Sequence, residues 1–154
     1  MSNLKPEYAD REILPQKKRV LFLCVGNACR SQMAEAFARA YGDDVLVAAS
    51  AGLAPAVALP VDTIQAMDEK GLDLREQFPK SWRHLGPVPF DLVVNLSGLT
   101  VPPEITAPVV EWKVPDPVLT KYKEHCRIRD RIEMLVMELV LEARRERKKQ
   151  RQRM

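Results

Sequence analysis

At 154 residues, with 46% apolar and 29% charged residues, the chain has the size and balance of one globular domain and is too apolar for a disordered protein. No stretch approaches the roughly 20 apolar residues of a membrane span, and the opening MSNLKPEYADREILPQKKR lacks the apolar core of a secretion signal, so a cytoplasmic protein without membrane contact is expected. The net charge of +3 is uneven: Ala143 to Met154 carries seven Lys/Arg and one Glu, a local +6, which leaves the remaining 142 residues at −3.

In chain order, residues 1–18 read as an N-terminal extension punctuated by Pro6 and Pro15, residues 19–142 as a single domain and residues 143–154 as a basic tail. The run Val20–Leu23 predicts a buried parallel strand that stops at CVGNACRS, where Gly26 and Asn27 tolerate a tight turn. Ser31 suits a helix N-cap, and Met33, Phe37, Ala40 and Tyr41 recur at helical spacing before Gly42 ends the helix. Val45–Ser50 predicts a second strand, Leu59–Lys70 a second helix and Lys80–Leu85 a short helix. Asp91–Leu96 and Ala107–Trp112 predict the third and fourth strands. A long helix follows from about Leu119, with Ile128, Ile132, Leu135 and Leu139 on its apolar face. The tail RRERKKQRQR has no interleaved aromatics and reads as the solvated end of this helix rather than as a nucleic-acid arm. Alternating strands and helices imply an α/β fold: a parallel sheet covered on both faces, with its ligand site at the carboxyl edge.

The chemistry concentrates in Cys24, Val25, Gly26, Asn27, Ala28, Cys29, Arg30 and Ser31, between a strand and a helix. Such a loop aims successive backbone N–H groups at one point, and the helix dipole adds positive potential. Arg30 brings a planar fork of donors for a tetrahedral oxyanion such as phosphate, sulfate or arsenate. Cys24 lies at the bottom of the cradle, where its thiolate is expected to be favoured, and Ser31 offers it a further hydrogen bond. Asp116, in the Pro-Asp-Pro stretch after the fourth strand, is either a turn residue or a general acid. Three cysteines, Cys24, Cys29 and Cys126, are too few and too irregular for a disulfide scaffold or a zinc site.

CVGNACRSQMAEAFA resembles the signature of the low-molecular-weight protein tyrosine phosphatases and the related thioredoxin-coupled arsenate reductases. The likeness continues through Ser50–Gly52, Gly71–Leu74, Phe90–Leu96 and Asp116–Pro117. It implies a three-layer α/β/α fold with a four-stranded parallel sheet, a cysteinyl-phosphate intermediate on Cys24, Arg30 as the oxyanion clamp, Asp116 as the general acid, and no metal or other cofactor for catalysis. Asn27, Ser31, Glu35 and Ser50 match positions that brace the loop, and Cys29 matches a second loop cysteine able to form a reversible disulfide with Cys24. Cys126, beside His125 on the last helix, reads as structural.

Two branches compete. The segment Ser50–Pro60 contains no aromatic residue to line a phenyl slot, which resembles the reductases. Ser97 stands where the first relay cysteine of the three-cysteine reductases would fall, and NLSGLTVPPEITAP contains no cysteine, so an internal disulfide relay is absent. On that ground the sequence favours a phosphomonoester hydrolase acting on a phosphorylated protein or a small aryl phosphate. Arsenate reduction at Cys24 with an external thiol donor is the alternative, and a non-catalytic oxyanion-binding regulatory module is the reading from another class. Trp82, Trp112 and Tyr122 are candidates to flank the pocket, and the oligomeric state stays open.

Overall fold

The computed structural model describes residues 17–87 and 89–153, so the first sixteen residues of the expected extension lie outside the described residues. Four parallel strands, β1 (Lys18–Cys24), β2 (Leu46–Gly52), β3 (Leu92–Asn95) and β4 (Val109–Glu111), form one sheet in the order β2-β1-β3-β4. The expected four-stranded parallel sheet is therefore present. β1 occupies a central place, and Val20–Leu23 are fully buried, which is why they read as one continuous apolar run.

Side-chain alternation along β1 divides the core. Val20, Phe22 and Cys24 face a large cluster with helices α1 (Arg30–Gly42), α2 (Val61–Asp68) and α3 (Tyr122–Arg153), through Met33, Phe37, Ala66, Met67, Ile132, Val136 and Val140. Leu21 and Leu23 face a smaller cluster with Ala51 and Val93, covered by Trp82, Leu85, Phe90, Val101, Ile105 and Ala107. This second outer layer is one turn of 3-10 helix (Trp82–Leu85) together with the connection from β3 to β4. The expected helix at Lys80–Leu85 is thus only four residues long, with the Ser81 hydroxyl accepting the Arg83 N–H at its start.

Several boundaries differ from the sequence reading, each for a local reason. β2 runs two residues further than Ser50, because Ala51 and Gly52 continue the ladder against Leu23 and Cys24. α2 begins at Val61 with Pro60 at its N-cap rather than at Leu59. Ser31 is not the N-cap of α1: Cys29 holds that position, and Ser31 lies inside the first turn with its hydroxyl turned to Cys24. The inner face of α3 is carried by Ile128, Ile132, Val136 and Val140, and Leu135 and Leu139 flank it half-buried. The basic tail continues α3 without a break to Arg153. Arg144 grips Asp44 with two bonds of 3.0 and 3.1 Å, and Arg147 donates to the Asp44 carbonyl, so this part of the helix stays docked on the domain. A Cβ on Gly42 would stand 2.6 Å from Val140, which fixes how closely the end of α1 meets α3. Among the described residues, no helix is long and apolar enough to cross a membrane.

Candidate active site

The loop between β1 and α1 is held from outside by the chain that leaves β2. Leu53, Ala54 and Ala56 donate their N–H groups to the carbonyls of Cys24, Val25 and Gly26 at 2.8–3.0 Å. Those carbonyls point outward, which turns the loop's own N–H groups toward its concave side. No side chain caps the first turn of α1, so the positive end of the helix adds to the same potential. Asn27 takes the left-handed conformation at φ 49°, a backbone state that asparagine tolerates better than most residues. Gly52 is required by close approach: a Cβ there would come within 2.8 Å of the Val25 carbonyl oxygen and 2.9 Å of the Asn27 nitrogen.

Cys24 ends β1 with 2% of its surface exposed. Its Sγ accepts the Asn27 backbone N–H at 3.2 Å and lies 2.9 Å from Ser31 Oγ. The Asn27 side-chain amide donates to Ser31 Oγ at 2.7 Å and to Ser50 Oγ at 3.0 Å, and Ser50 donates to Glu35 at 2.9 Å. Arg39 pairs with the buried Glu35 carboxylate at 2.9 Å. Asn27, Ser31, Glu35 and Ser50, drawn from the sequence, therefore meet in one buried network behind Cys24.

Arg30 is buried at the start of α1. Its guanidinium donates to the Leu96 and Val114 carbonyls at 2.6 and 3.1 Å, and its second terminal nitrogen lies 3.5 Å from Asp116 Oδ2. Asp116 is half-exposed and accepts the Val118 N–H, so it sits at the mouth rather than within the core. A cavity of 420 Å³ opens beside Arg30, walled by Leu96, Trp112, Val114 and Pro115. Trp112 lines this cavity and packs its ring against Phe22, with centroids 5.9 Å apart. Trp82 belongs to the smaller core beneath the sheet, and Tyr122 donates its hydroxyl to Glu69 beyond the end of α2.

The other thiols are differently housed. Cys29 is buried and accepts the Thr63 hydroxyl at 3.1 Å; burial pushes its thiol up to about 11, against the opposing pull of the Thr63 hydrogen bond. Cys126 lies beside Glu69 and Arg129. Thr63 and Glu69 are six residues apart, roughly 9 Å along a helix axis, so Cys29 and Cys126 attend opposite ends of α2. Ser97 donates its hydroxyl to Asn95 Oδ1 at 2.6 Å.

Residues 19–101 match the family model of the low molecular weight phosphotyrosine protein phosphatases, which is over half of the chain. The chain belongs to this family. It is 36% identical over 104 residues to a glutaredoxin arsenate reductase of Synechocystis, covering 65% of this chain and 79% of the relative. It is 35% identical over 125 residues to arsenate reductase 1 of Bacillus cereus, covering 77% and 91%. A solved arsenate reductase in the phosphate binding state superposes with a TM-score of 0.76 at 28% identity, covering 82% of this chain and 98% of that one. The YwlE arginine phosphatase of Geobacillus stearothermophilus shares the fold with a TM-score of 0.74 at 21% identity.

Three residues of this family member escaped the sequence reading. Gln32 donates to the Asn27 carbonyl at 2.9 Å and to its side-chain oxygen at 3.0 Å, locking the left-handed turn. Thr63 fixes Cys29, and Lys80 reaches Asn27 and Ser50. Gln32 stands next to the recognised loop and its amide was a usable signal. Thr63 and Lys80 come from distant segments that carry no motif.

Proposed function

We propose that the protein is an arsenate reductase in which Cys24 attacks the oxyanion and an external thiol completes the reduction. The observation that carries this reading is the agreement between the Cys24–Arg30 oxyanion cradle and relatives about 35% identical that are named arsenate reductases. The first named relative is a glutaredoxin arsenate reductase, which supports a small thiol or a glutaredoxin as the donor. The sequence favoured a phosphatase because the relay cysteines are missing; an external donor removes that objection.

In the proposed cycle the loop N–H groups and Arg30 bind arsenate, and the Cys24 thiolate attacks arsenic. A sulfur–arsenic bond forms and one arsenic–oxygen bond breaks, the oxygen leaving as water with a proton delivered by Asp116. A donor thiolate then attacks Cys24 Sγ. The sulfur–sulfur bond forms, the sulfur–arsenic bond breaks, and its electron pair stays on arsenic as arsenite. Arsenic gains two electrons and two sulfurs lose one each; a second donor thiol then frees Cys24 from the mixed disulfide. Cys29 is a poor candidate for the attacking sulfur, since a thiol raised to about 11 is protonated near neutral pH.

Phosphomonoester hydrolysis is the second reading. It is favoured by Asp116, a half-exposed carboxyl group beside Arg30 that can reach an alkoxide or phenoxide leaving group as its proton donor. One preparation decides between them. Arsenite formed from arsenate with glutathione and glutaredoxin, abolished in Cys24→Ser and lowered at least tenfold in Asp116→Asn, is the expected result. Para-nitrophenyl phosphate turnover with no arsenite formed would overturn the reductase reading in favour of the phosphatase.

A further inference from the structure

Lys80 is a half-buried cation on the Asn27 and Ser50 side chains that brace the loop. Its backbone N–H donates to Asn27 Oδ1 at 3.0 Å, and its ammonium donates to the same oxygen at 3.3 Å and to Ser50 Oγ at 3.3 Å. The Phe78 ring lies 5.5 Å below the ammonium. Glu35 is close enough to act on the charge, and Arg39 and Cys24 also face it. Burial lowers the ammonium from its ordinary lysine value while Glu35 raises it, as for a cation sealed into a network rather than waving in solvent.

Donor counting gives this network a direction. Asn27 Oδ1 accepts from Lys80 twice and from Gln32, so the other arm of the amide is the donor to Ser31 and Ser50. Ser50 accepts from Asn27 and Lys80 and gives its hydrogen to Glu35. Ser31 Oγ accepts from Asn27, so its own hydrogen is left for Cys24 Sγ at 2.9 Å. The result is a one-way row: the ammonium on Asn27 Oδ1, the Asn27 amide on Ser31, and the Ser31 hydroxyl on the sulfur. A cation drawing on the amide oxygen makes the amide nitrogen a stronger donor, and the effect passes down the row.

We propose that Lys80 is a positioning residue that, through Asn27 and Ser31, aims two hydrogen bonds at Cys24 and favours its sulfur as the thiolate. Its ammonium is engaged by Asn27 Oδ1 and Ser50 Oγ, so its charge acts through the network that braces the loop. The proposal takes Cys24 as the reacting sulfur and holds for arsenate reduction and for phosphate hydrolysis alike.

The test reads the sulfur directly and uses neither substrate. Carboxamidomethylation of Cys24 by iodoacetamide is timed at pH 7 in the full chain and assigned to Cys24 rather than Cys29 by peptide fragmentation. Lys80→Met and Lys80→Gln, the second keeping hydrogen-bond donors without charge, are expected to slow labelling about tenfold. Lys80→Arg is expected to remain within about twofold of wild type. Wild-type labelling rates in folded Lys80→Gln would overturn the proposal, as would a loss in Lys80→Arg equal to that in Lys80→Met. If Lys80→Met fails to fold, the Gln and Arg pair decides alone. A failure of arsenate turnover leaves these rates untouched, so the two readings fail separately.

Discussion

Cys24 and Cys29 stand five residues apart in one loop and meet different chemistry. The sulfur of Cys24 accepts a backbone N–H and touches the Ser31 hydroxyl, whereas Cys29 is packed against Thr63 and pushed up by burial to about 11 from 9.0. A raised thiol makes a stability statement whose sign is fixed. Below pH 9 both the folded and unfolded chains hold the proton, and the stabilisation is whole. As pH rises toward 11, only the unfolded chain releases it, so stability falls, by about 2–3 kcal/mol in all. Urea unfolding at about pH 8 and about pH 10.5 should show wild type losing roughly 2 kcal/mol more than Cys29→Ala. Equal losses would mean that Cys29 ionises freely in the fold. At this scale much of the site was legible: Cys24, Asn27, Arg30 and Ser31 lie within one segment whose spacing fixes their meeting. Lys80 was not legible, because its contacts span 53 residues to Asn27 and 30 to Ser50, and nothing local marks a lysine as half-buried.

The junction of β2 with the loop depends on Gly52. Its missing side chain lets the end of β2 lie against Val25 and Asn27, and the next residues then clamp the loop carbonyls outward. Gly52→Ala should therefore cost about 1–3 kcal/mol through overpacking and slow Cys24 alkylation, since Asn27 must shift. Unfolding and labelling measured together check this: lost stability with unchanged labelling would confine the effect to packing. Strands and helices with a clear period were read to within a few residues. The misreadings have tertiary causes. Ser31 has the composition of a cap, but Asn27 draws it inward as a hydrogen-bond acceptor. The second outer layer was harder to foresee, because the connection from β3 to β4 covers its face with loop rather than with a periodic element.

Across the whole molecule the three thiols are free and differently housed. Cys24 opens at the carboxyl edge of the sheet, Cys29 is sealed beneath the first turn of α2, and Cys126 lies beside Glu69 past its last turn. Ser97, at the end of β3, is tied to Asn95 and has no sulfur to offer. With serine at position 97, the arsenate reduction proposed above draws its electrons from an external thiol. The most direct test is the mass of the Cys24 peptide, Val20–Arg30, after arsenate is given to the reduced protein with limiting glutathione and the reaction is quenched by acid. Cys24 is expected as a glutathione mixed disulfide, with arsenite in equal amount and Cys29 unmodified. A Cys24–Cys29 disulfide, or unmodified Cys24 with no arsenite, would contradict the proposed reduction.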